Sequence, residues 1–162
     1  WLGERLGDVK IVRTMPNTPA LVGEGITGVC KNNLVTEDEF AYVLKLLSSF
    51  GLAEAIPESL MDAVVSVSGS SPAYVFLFIE AMADAAVADG MPRAQAYKFA
   101  AQAVLGSAKM VLETGKHPAE LKDMVCSPAG TTIEAVRVLE EKGFRGAVMD
   151  AMKACTAKAK GI

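Results

Sequence analysis

The sequence predicts a mainly α-helical chain whose first third is β/α in character and whose remainder contains no strand. Three observations carry this. Short β-prone runs near 9–12 and 26–30 flank a turn and precede an amphipathic run at 36–50. After Leu60 the composition shifts to Ala, Met and Leu. From there Pro and Gly punctuate long apolar-periodic stretches, as helix starts and stops do.

Each element follows from its residues. Val9, Ile11 and Val12 begin a strand that dies in the Pro/Asn/Thr turn of "RTMPNTPA". "EGITGVCK" is a second strand. "TEDEFAYVLKLLSSFG" is a helix, with Thr36 and Glu39 as a capping box, Phe40, Val43, Leu44 and Leu47 on one face, and Gly51 as its stop. "LAEAIPE" is a third strand. "SSPAYVFLFIEAMADAAVADG" opens with Pro72 at a first helical position and stops at Gly90. "MPRAQAYKFAAQAVLGSAKMVLETG" repeats the plan from Pro92 to Gly115. "HPAELKDMV", "TTIEAVRVLEEKG" and "FRGAVMDAMKACTAKAK" complete the set, and the domain boundary is expected between Pro57 and Ser66.

Ala73–Ile79 is apolar nearly all round, so it is expected to be buried on most sides. A helical unit of about 100 residues has too little chain to cover it, which predicts a partner subunit and, by the commonest symmetry, a homodimer. The alternative is a monomeric bundle with this helix at its centre.

The totals exclude several function classes. With 51% apolar and 22% charged residues over 162, the chain is globular and ordered. Its net charge is −3 with no basic block, which argues against a nucleic-acid partner. No run approaches about 20 consecutive apolar residues, so no membrane association is expected. Cys30, Cys126 and Cys155 are widely spaced and His117 is the only histidine. A disulfide framework or a metal site is not expected, and a reducing cytoplasm fits. A Cys126–His117 nucleophile pair lacks any visible third group.

Unusual turn chemistry marks three stretches: "RTMPNTPA" (13–20), "SVSGSSPAY" (66–74) and "KDMVCSPAGTTIEA" (122–135). In the last, Pro128 forbids helix behind it, and Gly130 permits a close-approach turn. Thr131 is expected as an N-cap with Glu134 as its capping-box partner. Ala129 is expected at negative φ, or else strained. N–H groups at such a helix N-terminus suit a carboxylate or phosphate.

Together these stretches resemble the pyrroline-5-carboxylate reductase family. "LKDMVCSPAGTTIEAVRVLEEKGFR" is similar to its signature, and "MPNTP" and "SGSSPAY" fall at the expected spacings. The resemblance implies a remnant of a Rossmann α/β domain over 1–60 and an all-helical dimerisation and substrate-binding domain over 61–162. It implies reduction of 1-pyrroline-5-carboxylate to L-proline, the last step of proline biosynthesis, with NADPH or NADH. It implies a homodimer, in the family often assembled into a larger ring. Ser127, Gly130, Thr131 and Thr132 match the turn that holds the substrate, with Thr132 as the catalytic residue bonding the substrate ring. Met15, Pro16 and Asn17 match the strand end near the nicotinamide, and Ser70 and Ser71 the start of the interface helix. The family commonly has Gly where Ala129 stands, and often where Ser71 stands.

No Lys appears in "SGSSPAYVFLF", unlike related β-hydroxyacid dehydrogenases, which argues against an alcohol-oxidising relative. The chain is expected to lack G-x-G-x-x-G, the fingerprint that seats a pyrophosphate on a helix N-terminus. It is therefore expected to be a C-terminal portion, inactive in isolation. The alternatives are a short homologue without redox function, or a non-catalytic helical dimerisation module binding proline or a similar amino acid.

Overall fold

The structure, a computed structural model, describes residues 2–161. It forms two compact units, one of residues 1–73 with 151–162 and one of residues 74–150. The first contains a short helix α1 (Leu2–Leu6) and strands β1 (Val12–Met15), β2 (Gly25–Lys31) and β3 (Gly51–Ala55), in the order β1-β2-β3. Helix α2 (Glu37–Leu47) connects β2 to β3, which are parallel with Gly25 opposite Gly51 and Val29 opposite Ala55. This β-α-β unit is the Rossmann-like part. β1 instead pairs antiparallel with β2, Val12 opposite Lys31 and Met15 opposite Gly28. The nine residues between them are too few for the crossover of a dozen or more that a parallel pair requires.

The core of this unit is Val29, Val35 and Phe40, with Val12, Leu44, Leu47 and Ala53 packed on it. Phe40 and Leu44 lie four apart on the inner face of α2, as the periodicity predicts. The Thr36 capping box is present. Thr36 Oγ1 accepts from the Glu39 N–H at 3.3 Å, and Glu39 returns a carboxylate oxygen to the Thr36 N–H at 3.0 Å. α2 stops at Leu47, before Gly51, through a 3₁₀ turn at Ser48–Phe50. Gly51 is needed for another reason: at φ 144° its Cβ would sit 2.0 Å from the Gly25 carbonyl oxygen.

Lys10 bonds the Glu39 carboxylate from outside the capping box. With the Thr36 N–H, it pulls the Glu39 carboxyl down from 4.5 to about 2. A depressed folded pKa stabilises the fold above the unfolded value and loses that effect as pH falls through the folded one. Glu39→Gln is therefore expected to lower stability at pH 7, with the gap to the parent closing between pH 4.5 and about 2. Urea titrations at pH 7, 4 and 2 measure this, and a gap independent of pH would contradict the assignment.

Residues 58–88 are helical almost without interruption. A 3₁₀ turn (Glu58–Leu60) leads into α3 (Met61–Val64), a π-turn (Val65–Gly69) and α4 (Ser71–Ala88). Helix thus begins before Pro72, which is the second residue of α4. By length and composition this stretch could cross a membrane, with a mean hydropathy of 1.4 over its most apolar window. A single stretch of this kind is also what the core helix of a folded domain gives, so the expectation drawn from uninterrupted apolar runs is not overturned.

The second unit takes most of α4, then α5 (Arg93–Thr114), α6 (Pro118–Val125), α7 (Thr131–Glu141) and the start of α8 (Phe144–Ala159). Gly115 ends α5 in the left-handed region at φ 63°. Ala83, Ala96 and Ala100 are its buried residues. In the single chain the Ala73–Ile79 run is not buried: Phe76 is 62% and Leu77 67% exposed. The single chain does not place this helix at the centre of a bundle.

Candidate functional site

The turn before α7 is built by Ser127, Pro128, Ala129 and Gly130. The Gly130 N–H donates to the Ser127 carbonyl at 3.0 Å, which closes a four-residue turn with Pro128 at its second position. Ala129, at the third, is in the left-handed region at φ 57°, the one non-glycine residue there among those described. The expected negative φ is not adopted, because a Pro-led turn of this hand requires positive φ at its third position. The left-handed region costs an L-residue about 1–2 kcal/mol. Ala129→Gly relieves that but adds unfolded-state freedom. A net gain of roughly 0.5–1 kcal/mol is expected in a urea titration. No gain would mean that the turn carries no strain.

Gly130 is the N-cap of α7, with extended backbone at φ −79° and ψ 167°. This corrects the expectation that Thr131 caps the helix: Thr131 is its first helical residue, and no side chain caps it. Glu134 turns instead to Arg137, whose guanidinium holds the Glu134 carboxyl below its usual range. The reason for glycine at 130 is space. A Cβ there would lie 2.3 Å from Ser127 Oγ, so the Ser127 side chain occupies the volume a larger residue needs.

The N–H groups of Thr131, Thr132 and Ile133 accordingly have no partner within α7, as at any helix start. Thr132 is half-buried and Thr131 exposed. Among the described residues neither hydroxyl bonds another group of the chain. A helix N-terminus with three open N–H groups and two uncommitted hydroxyls can hold an anion. The structure brings Ser127, Gly130, Thr131 and Thr132 into one turn.

Cys126, the C-cap of α6, does not form a pair with His117. His117 is the N-cap of α6, where Nδ1 accepts the Ala119 N–H at 3.1 Å. The eight residues of α6, about 12 Å of helix, stand between them. Cys30 is buried, and burial, with Glu58 next in effect, pushes its thiol up, away from the reactive thiolate. No cluster of metal-ligating side chains occurs among the described residues.

Met15, Pro16 and Asn17 lie in the first unit, at the end of β1. There they meet the π-turn at Val65–Gly69, which falls in the 66–74 stretch that the sequence marks as unusual, although its contact with β1 is not legible in the sequence. A Cβ on Gly69 would stand 3.0 Å from Met15 Cε, and Asn17 Nδ2 donates to the Ser68 carbonyl at 3.1 Å. The serines of the turn bond backward: Ser66 to the Ala63 carbonyl, Ser68 to Val64 and Ser71 to Val67. Ser70 Oγ instead meets Cys155 Sγ at 3.3 Å. The serine run was the one available signal, since such back-bonding loosens regular helix. A cavity of about 480 Å³ beside β1 and β2, lined by Ile11, Arg13, Cys30 and Glu58 among others, contains none of the predicted site residues.

The string G-x-G-x-x-G does occur, as Gly23, Gly25 and Gly28. It runs from a turn into β2, not from a strand into a helix. There Gly25 is packed on Ala20, and Gly28 on Ile56 and Val64. The letters are present without the phosphate cradle.

Residues 58–162 match the pyrroline-5-carboxylate reductase dimerisation family. The chain is 69% identical over 162 residues to pyrroline-5-carboxylate reductase of Escherichia coli, covering 99% of this chain and 60% of that protein. It is 52% identical over 147 residues to the enzyme of Synechocystis, covering 91% and 55%. The solved structure of the Coxiella burnetii enzyme superposes with a TM-score of 0.94 at 36% identity, covering 99% of this chain and 60% of that one. The Plasmodium falciparum enzyme, solved with NADP bound, superposes with a TM-score of 0.91 at 38% identity, covering 99% and 65%. The chain thus spans about 55–60% of the length of these curated relatives. With the open N-terminus of α7 and the match over 58–162, the chain belongs to the pyrroline-5-carboxylate reductase family.

Proposed function

We propose that the chain is the C-terminal part of an NAD(P)H-dependent reductase that converts 1-pyrroline-5-carboxylate to L-proline. The observation that carries this reading is the turn at Ser127–Gly130 opening into α7, with the unpartnered N–H groups and hydroxyls of Thr131 and Thr132. In this reading Ser127, Thr131 and Thr132 hold the substrate carboxylate, Gly130, whose N–H is given to the Ser127 carbonyl, sets the turn that presents them, and the Thr132 hydroxyl bonds the substrate ring. A protonated imine is already an electrophile. The residues then need only orient it and balance its carboxylate, by proximity and electrostatic effects. This accounts for a site with no paired acid and base.

The dinucleotide, when bound, supplies the hydride. Met15 is half-buried and Pro16 exposed, an apolar edge suited to its nicotinamide end. No cation lies among residues 15–17, and Gly25 and Gly28 of the glycine string are buried in β2, so these residues do not fit its phosphates. A division near residue 60 is supported by the composition change and by the start of the family match at 58. A homodimer, with larger rings as a further step, is supported by the exposed apolar surface of α4 and α5. Three free cysteines support a cytoplasmic setting.

The test is turnover. The full-length enzyme carrying this chain is expected to oxidise NADPH or NADH in the presence of 1-pyrroline-5-carboxylate, and residues 1–162 alone are expected to show none. Turnover by residues 1–162 alone would refute the division of the cofactor site. A full-length enzyme without turnover that still binds L-proline would favour the non-catalytic module.

A further inference from the structure

Asn17 ties together the end of β1, the start of β2 and the distant π-turn. Its Nδ2 donates to the Ser68 carbonyl at 3.1 Å, and its Oδ1 accepts the Ile26 N–H at 2.9 Å. The amide orientation is set by chemistry, since an N–H requires an acceptor and a carbonyl a donor. Its backbone carbonyl also accepts the Ala20 N–H at 3.2 Å, holding the turn after β1. Two residues earlier, Met15 Cε lies against Gly69. The end of β1 is thus keyed to the π-turn twice, by a polar bond at 68 and by packing at 69. π-Turns of this kind occur frequently at functional sites.

We propose that Asn17 is a positioning residue: it sets the Met15–Pro16 strand end against the Val65–Gly69 turn and does not itself hold a ligand. Both ends of its amide are already engaged within the chain. The proposal rests on the reductase reading above and deepens it, because it makes the spacing of these two segments a determinant of hydride transfer.

Asn17→Asp tests it in the full-length enzyme. Aspartate keeps the size and the acceptor for Ile26 but sets a carboxylate oxygen against the Ser68 carbonyl. The expected result is a kcat lowered about tenfold to a hundredfold, with both KM values within about threefold of the parent. The primary isotope effect, measured with dinucleotide deuterated at the transferred hydrogen, is expected to rise. A selective rise in one KM with an unchanged isotope effect would overturn the proposal in favour of direct ligand binding. A lower thermal midpoint with unchanged kcat per folded enzyme and unchanged isotope effect would overturn it in favour of a purely structural bond.

Hydrogen exchange on residues 1–162 checks the geometry without any activity. Protection of the Ile26 amide is expected to survive Asn17→Asp and to be lost in Asn17→Leu, and protection that persists in Asn17→Leu would overturn the proposal. If the unsubstituted enzyme reduces no imine, the reductase reading fails, and with it the link from the Asn17 position to hydride transfer. If that enzyme is active and Asn17→Asp matches it, the positioning role alone fails.

Discussion

Thr132→Ala in the full-length enzyme is expected to lower kcat/KM at least tenfold, about 1.4 kcal/mol or more of transition-state stabilisation. Thr132 is the second residue of α7, half-buried, with a hydroxyl that bonds nothing within the chain among the described residues. Alanine removes that hydroxyl and improves helix propensity, so folding is not expected to suffer. The open N–H groups remain, because they belong to the backbone and to the Gly130 cap. The substitution therefore separates what the hydroxyl does from what the helix N-terminus does. If the hydroxyl bonds the reacting ring, the loss falls mainly on kcat. A loss confined to KM would limit Thr132 to holding the ground state, and an unchanged kcat/KM would remove it from the site.

Leu77→Glu is expected to convert a dimer into a monomer, read as mass by light scattering at micromolar concentration. Phe76 and Leu77 on α4 are 62% and 67% exposed in the single chain, and Phe99 and Leu112 on α5 are 67% and 73%. Burying such a side chain fully contributes about 1.5–3 kcal/mol, so a few per protomer suffice for stable association. A carboxylate placed among them would be desolvated without a partner, at a cost of several kcal/mol. A parent chain that is already monomeric would refute the partner-subunit reading. A substituted chain that remains dimeric would place the interface elsewhere.

The family match and the exposed helix answer different parts of one problem. The all-round apolar character of Ala73–Ile79 requires a cover, and one copy of the chain does not supply it. The same stretch passes a length-and-composition test for crossing a membrane. The light-scattering measurement bears on this too, since a discrete dimer in buffer without detergent accounts for the apolar face without lipid.

What the sequence determined by itself was local. The Thr36 capping box, the inward face of α2 and the Gly115 stop depend on residues three to four apart, and all three stand as the spacing predicts. So does the grouping of Ser127, Gly130, Thr131 and Thr132, which are neighbours in the chain. The same local rules failed at Thr131. There the bond from Gly130 back to Ser127 preset the extended cap, and Arg137 drew Glu134 away. The tertiary structure alone decided what depends on distant partners. Asn17 meets a carbonyl 51 positions away, and Gly51 is required by the nearness of Gly25 across the sheet. Short-range patterns encode backbone propensity, whereas hydrogen bonds and close approaches between remote segments come into being only once the chain has folded.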